Sequence, residues 1–146
     1  MRTIKVFIAV TLMAVIATGC AKFEDVITKK EGRWRVTKAT VAEYENDALV
    51  EETDFEAPEI ITFNADGTAS YETAGVVDSE VTVTWSYDES TEVMSITEDY
   101  SSPSFTFTIT YSYEVLESKK KSQKWLSSGQ DGTTRIDINM ELERAD

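Results

Sequence analysis

The chain of 146 residues is predicted to be all-β, folding as an eight-stranded antiparallel up-and-down barrel after a short N-terminal helix. Three observations lead to this prediction. Apolar and polar residues alternate with period two from residue 33 onward, turn-forming segments separate these runs, and the runs number eight. Closing eight consecutive strands buries their apolar faces together and removes both edges of the sheet. A two-sheet β-sandwich is the alternative.

The helix is predicted between residues 21 and 30. Phe23, Val26 and Ile27 lie three and four positions apart, so they share one helical face. Gly32 follows this stretch, and we expect it to be the C-cap, because a glycine accepts the left-handed backbone that often ends a helix.

The first strands are recognised by alternation and by the turns between them. Trp34 and Val36 share one side of the first strand, and the tight turn 64–67 joins the second to the third as a hairpin. The fourth places Trp85 and Tyr87 on its apolar side. The eight predicted strands cover residues 33–41, 59–63, 68–73, 81–87, 93–97, 105–115, 123–127 and 135–142.

The sixth predicted strand has the clearest alternation, with one apolar face and one face of threonine, serine and glutamate. Its aromatic residues form a stripe with those of the fourth strand, and this stripe would line the inside of the barrel. Such a lining suits a flat or hydrophobic small molecule, and the tyrosine hydroxyls could orient it. The alternative is that these side chains simply fill a small barrel. The stripe consists of Trp85, Tyr87, Phe105, Phe107, Tyr111 and Tyr113.

The N-terminus has the layout of a signal peptide: Arg2 and Lys5 precede an apolar run over residues 6–17 that is too short to stop in a membrane. The segment Ile16-Ala17-Thr18-Gly19-Cys20 places the only cysteine after small residues. It resembles the lipobox of bacterial lipoproteins. The resemblance implies cleavage before Cys20, a diacylglyceryl group on its sulfur and a further acyl chain, such as palmitate, on its amino group.

We therefore divide the chain into a signal peptide (1–19), a lipidated N-terminus with the short helix (20–31) and a barrel domain (32–146). By resemblance to lipoprotein sorting rules, Ala21 after the cysteine favours anchoring in the outer membrane, facing either the periplasm or the surroundings. Without the signal peptide, 12 basic and 27 acidic residues remain, a net charge of −15. Such a charge repels phosphate groups, so nucleic acid and direct docking on anionic headgroups are poor partners.

Composition also excludes most common catalytic machinery. The chain has no histidine and only the one cysteine, so Ser-His-Asp and Cys-His sites and His/Cys zinc sites are absent after lipidation. A pair of carboxylates could still hydrolyse glycosides, but no pattern singles out two of the 27 acids. We expect a protein that is not an enzyme and that holds neither a cofactor nor a metal.

The helix running into Gly32-Arg33-Trp34 resembles the lipocalin and fatty-acid-binding-protein superfamily, in which this tryptophan closes one end of the barrel. The resemblance implies an arginine stacked on Trp34, either Arg135 or Arg144. The closer similarity is to small lipocalin-like domains of bacterial surface lipoproteins, whose Phe-x-x-Asp-Gly-Thr hairpin is matched by residues 63–68. The chain lacks the disulfide that lipocalins usually have.

Two more features are interpreted through this resemblance. The longest connection, residues 42–58, corresponds to the lid over the open mouth of a lipocalin, where Phe55 either touches a ligand or packs the lid down. Glu98-Asp99-Tyr100 is similar to a lipocalin Thr-Asp-Tyr motif but lies one connection too early, so we treat it as coincidence.

Two functions follow. The first is a membrane-anchored lipoprotein whose lipocalin-like domain binds a small hydrophobic or aromatic molecule through the aromatic stripe and Phe55. The alternative is a structural or interaction subunit of a cell-envelope complex, with a filled barrel and an envelope protein as its partner. An internal cavity favours the first function, and a filled core with an exposed apolar patch favours the second.

Overall fold

The computed structural model describes residues 22–145, so the predicted signal peptide and Cys20 lie outside the described residues. Ten strands follow two short helical turns. In chain order the elements are α1 (Phe23–Ile27), a 3-10 turn (Lys30–Gly32), β1 (Arg33–Glu45), β2 (Ala48–Asp54), β3 (Ile60–Phe63), β4 (Thr68–Thr73), β5 (Val76–Val77), β6 (Val81–Asp88), β7 (Val93–Ser101), β8 (Thr106–Ser118), β9 (Ser122–Asp131) and β10 (Thr134–Arg144).

Eight of these strands form a closed antiparallel barrel. Their order is β1-β3-β4-β6-β7-β8-β9-β10, and the pairing of β10 with β1, from Trp34 opposite Arg144 to Glu45 opposite Thr134, closes the sheet. The prediction of an eight-stranded barrel is therefore confirmed, and the β-sandwich alternative is wrong. Closure leaves each barrel strand with one face inside, which is why alternation revealed all eight.

The expected loop over residues 42–58 is wrong in its first part. The strand β1 continues to Glu45, turns at Asn46 and Asp47, whose φ angles are +51° and +63°, and returns along its own edge as β2. Asparagine and aspartate tolerate this left-handed backbone, so they suit a two-residue hairpin turn. The result is a hairpin arm, defined here as residues 40–54, in which every residue of β2 is exposed.

Gly32 is not the C-cap of the helix, because α1 ends at Ile27 and Thr28 caps it. The glycine instead ends the 3-10 turn with φ +64°, and a β-carbon there would lie 1.9 Å from the carbonyl oxygen of Phe63. Only glycine allows both this backbone and this close approach. The turn thereby brings α1 against the barrel.

The end of the barrel at α1 is closed by packed side chains. Trp34 is 0% exposed, and its indole Nε1–H donates a hydrogen bond of 2.7 Å to the carbonyl of Ile27. Of the two arginine candidates, Arg144 stacks on this tryptophan, with its guanidinium carbon 4.1 Å from the ring centroid. The same guanidinium donates to the carbonyl oxygens of Val26 and Lys29, so it holds α1 and the following turn against the barrel.

Among the described residues, the buried hydrophobic side chains run from Phe23 to Ala145. A chain that starts at residue 20 therefore contains all of this core. Within residues 22–145, no helix combines the length and the apolar character that a membrane crossing requires.

Candidate ligand-binding site

The end of the barrel opposite α1, which we call the mouth, contains a buried glutamate. Along β7 the side chains of Met94, Ile96 and Glu98 alternate into the barrel interior, and Glu98 is only 7% exposed. A carboxylate among apolar neighbours loses its hydration, so it requires hydrogen-bond donors from the protein.

Two tyrosines supply those donors. The hydroxyl of Tyr71 on β4 donates to one oxygen of Glu98 at 2.5 Å, and the hydroxyl of Tyr100 donates to the other at 2.8 Å. Each oxygen of the carboxylate is therefore engaged, but both partners are neutral. Within residues 22–145, no lysine or arginine forms a salt bridge with Glu98.

The tyrosines around this acid are held in their neutral form. The hydrogen bond to Glu98 is the main cause that raises the pKa of Tyr100 to about 12. Burial, followed by the hydrogen bond to Glu98, raises the pKa of Tyr71 far above its ordinary value. Burial is also the main cause that raises the pKa values of Tyr111 and Tyr113. All four phenols consequently remain hydrogen-bond donors at neutral pH.

A cavity of about 230 Å³ lies between these tyrosines at the mouth. Tyr111 and Tyr113 border it from β8, next to each other on the inner face, with ring centroids 6.2 Å apart. Aliphatic side chains form the rest of the wall, and residues 55–58, which link the hairpin arm to β3, form the rim. The aliphatic wall consists of Ile61, Ile96, Ile138 and Met140.

The structure brings together only part of the predicted site. Phe55, Tyr111 and Tyr113 all border the cavity. Trp85 lies in the core towards the closed end, where its Nε1–H donates to the carbonyl of Asn64 at 3.0 Å. Tyr87 stacks on Phe23 of α1 with ring centroids 4.2 Å apart, so it also belongs to the closed end.

The two phenylalanines of the stripe do not line the cavity. Phe105 and Phe107 are 57% and 45% exposed, so they do not line an enclosed barrel interior. Phe107 stacks on Tyr100 at 4.6 Å between ring centroids, and Phe105 stacks on Phe107 at 5.7 Å. This aromatic stack extends from the tyrosine–glutamate network out to solvent, beside the cavity.

A wider cleft of about 520 Å³ lies at the opposite end, and it differs in chemistry. Its lining is mostly basic, with Lys29, Lys30, Lys120, Lys121 and Arg144. It has no aromatic wall, so the smaller cavity at the mouth is the better candidate for an apolar ligand. Residues 22–145 contain no group of three or more acidic or cysteine side chains that could hold a metal ion.

Sequence reasoning missed Tyr71, Glu98 and Tyr100, which form the polar centre of the site. In the sequence, Glu98 and Tyr100 stand out only as part of the Glu98-Asp99-Tyr100 segment, which we treat as coincidence. The signal that could have found them is the alternation of β7, because extending it from Met94 and Ile96 places Glu98 on the buried side. An acid on an apolar face is the informative exception in such a pattern.

Comparison with known proteins gives no match: no family model, no curated protein and no solved structure matches this chain.

Proposed function

We propose that this protein is an outer-membrane lipoprotein, anchored through Cys20, whose lipocalin-like barrel binds a small apolar or aromatic molecule in its mouth. The single observation that carries the binding proposal is the cavity of about 230 Å³, lined by four tyrosines and aliphatic side chains. Ligand sites are typically concave and apolar, with a few placed polar groups, and the mouth of a barrel is one of their usual positions.

The size of the cavity limits the ligand. It is smaller than the roughly 300–1,000 Å³ of sites for drug-sized molecules. The occupant is therefore small, or it is held partly between the cavity and the exposed rings of Phe105 and Phe107. Flat aromatic molecules suit the second arrangement, because they stack on these rings.

The position of the anchor supports an orientation for the mouth. Cys20 precedes Lys22 by two residues, a reach of at most about 7 Å in extended chain. Because α1 lies at the closed end of the barrel, so short a tether would hold that end next to the bilayer. The mouth would then face away from the membrane and receive ligand from the aqueous side.

The anchor is tested by fractionation of cells that produce Cys20→Ser. We expect this variant to lose the outer-membrane fraction and to accumulate as unlipidated or uncleaved chain, since the thioether to the lipid cannot form. Ala21→Asp is the matched control for sorting, and it is expected to retain the lipid but move to the inner membrane. Normal outer-membrane retention of Cys20→Ser would contradict the anchor.

Binding is tested by native mass spectrometry of the mature protein released gently from the bacterial envelope. We expect a recurring small adduct that is lost on unfolding. Tyr111→Ala removes a ring that borders the cavity, so it should reduce the adduct, whereas Tyr87→Ala removes a tyrosine at the closed end and should not. Thermal unfolding of both variants separates lost binding from lost folding. Bare wild-type protein would contradict the proposal.

A second candidate, an interaction subunit, is favoured by the hairpin arm. Leu49 and Val50 are exposed there, and within the described residues β2 pairs with β1 alone, so its other edge is open to strand addition. Cross-linking in intact cells from residues placed along β2 tests this role. A single specific envelope partner would support the interaction role. Cross-links to many unrelated proteins, with no recurring partner, would contradict it.

A further inference from the structure

The cavity at the mouth carries negative charge, with which a purely apolar ligand would form no favourable interaction. Its polar centre is Glu98, and a second carboxylate, Glu56, lies at the exposed rim. None of the residues that line the cavity is basic. The wall therefore offers negative charge and aromatic rings, with no built-in cation to neutralise the acid.

The acid still has capacity to accept hydrogen bonds. A carboxylate has about four acceptor positions on its two oxygens. Tyr71 occupies a position on one oxygen of Glu98, and Tyr100 occupies a position on the other. The remaining positions can accept N–H donors from a molecule in the cavity, and such bonds between charged groups are stronger than neutral ones.

The surrounding rings favour the same kind of partner. Tyr71, Tyr100, Tyr111 and Tyr113 all border the cavity. Tyrosine rings attract cations at their faces, and the attraction is stronger where the cation is shielded from water. A negatively charged ligand, by contrast, would meet Glu98 at short range in a poorly hydrated space, which is unfavourable.

We propose that the mouth of the barrel selects a small organic cation, namely a primary amine with an aromatic or apolar body, whose ammonium group pairs with Glu98. This inference rests on the proposed binding function and names the class of ligand. The body of the amine would contact the wall at Ile96 and Ile138, and its ring would lie near Phe55 at the rim.

The experiment compares three probes of similar shape and different charge by isothermal titration calorimetry at neutral pH. They are 2-phenylethylammonium, the neutral 2-phenylethanol and the anion 3-phenylpropanoate. The protein is the mature chain, residues 20–146, with Cys20→Ser. We expect the ammonium probe to bind at least about tenfold more tightly than the alcohol, and the anion to bind most weakly.

Three variants test whether the preference for the ammonium probe over the alcohol depends on the carboxylate of Glu98. Glu98→Gln keeps the shape and one acceptor oxygen, replaces the other oxygen with an NH2 group and removes the charge. The ratio of the two affinities should therefore fall to about one while the alcohol still binds. Glu114→Gln removes a charge on the outer face of β8 and should leave the ratio unchanged. Tyr100→Phe frees one oxygen of Glu98 and should also keep the preference.

The outcomes separate the two proposals. Equal binding of the amine and the alcohol by the wild-type chain would overturn the cation inference and leave the apolar binding site standing. A preference that persists in folded Glu98→Gln would also overturn it. Failure of all three probes to bind would count against the cation site and against binding in the mouth altogether. The wild-type comparison decides the question even if Glu98→Gln fails to fold.

Discussion

The two ends of the barrel use aromatic residues in opposite ways. At the closed end, Trp34 is fully buried, hydrogen-bonded to α1 and covered by Arg144, so every surface of the ring has a partner. At the mouth, Tyr100 and Tyr111 are half-buried and border empty space. A ring packed on all sides contributes to folding, whereas a ring beside a cavity remains able to contact a ligand.

The aromatic stripe along β8 and β6 therefore has no single role. Trp85 and Tyr87 pack at the closed end, Tyr111 and Tyr113 line the cavity, and Phe107 is largely exposed. Substitutions at the closed end should therefore affect the free energy of unfolding, and substitutions at the mouth should affect binding.

The largest effect on stability is expected from Trp34→Ala. It removes a fully buried ring and its hydrogen bond to Ile27, which should lower the free energy of unfolding by about 3–5 kcal/mol in urea denaturation. Tyr111→Ala at the mouth should cost clearly less, because that ring already borders a cavity. Equal losses at the two positions would contradict the contrast between the ends.

Two glycines with similar positive φ angles separate the close packing at the closed end from the effect of the backbone conformation. Gly32 at the closed end and Gly132 between β9 and β10 have φ angles of +64° and +60°, but a β-carbon would meet protein atoms only at Gly32. Gly132→Ala should cost about 1–2 kcal/mol for the left-handed backbone, and Gly32→Ala should cost more through the contact with Phe63. Equal midpoints of urea unfolding for the two variants would contradict the close approach of Gly32 to the carbonyl of Phe63.

Alkaline pH should weaken the tyrosine–glutamate network at the mouth. Because the folded pKa of Tyr100 is about 12 and its ordinary value is 10, the unfolded chain releases this proton first as the pH rises. The contribution of Tyr100 to stability is therefore complete below pH 10 and is lost as the pH rises through the folded pKa. Glu98→Gln removes the charge of the hydrogen-bond acceptor, so Tyr100 should ionise at lower pH. Phenolate absorbance measured during a pH titration of both proteins tests this, and identical curves would contradict it.

The smallest effect on stability is expected from Phe107→Ala. The side chain is 45% exposed and contacts mainly the neighbouring rings of Tyr100 and Phe105, so its loss should cost less than about 1 kcal/mol. The affinity for an aromatic ligand should nevertheless fall, as titration calorimetry with 2-phenylethylammonium would show. A large fall in melting temperature without any change in affinity would assign Phe107 to folding.

The sequence allowed the eight barrel strands to be predicted because each has one buried face and one solvated face. The strands β2 and β5 were missed for the same reason: every residue of both is exposed, so neither shows alternation. The closing tryptophan was found through Gly32-Arg33-Trp34, but the choice of Arg144 over Arg135 depends on the pairing of β10 with β1, which alternation does not specify.

The site was predicted only in part for a related reason. Tyr111 and Tyr113 belong to a long apolar face and were visible from it, as was Phe55 from its place in the expected lid. Glu98 lies one residue beyond the predicted end of its strand, so the predicted alternation does not include its inward direction. Its partnership with Tyr71 joins residues 27 positions apart through the order of the strands, and no local pattern contains that information.

We propose that ligand binds at the mouth of the barrel and not at the closed end. The most direct measurement is a two-dimensional NMR titration of the chain from residue 20 to residue 146, with Cys20→Ser, using 2-phenylethylammonium. We predict that the signals of Glu98, Tyr100 and Tyr111 shift with one common dissociation constant, while the indole signal of Trp34 stays fixed. Shifts centred on Trp34 and Arg144, or no shifts anywhere, would contradict binding at the mouth.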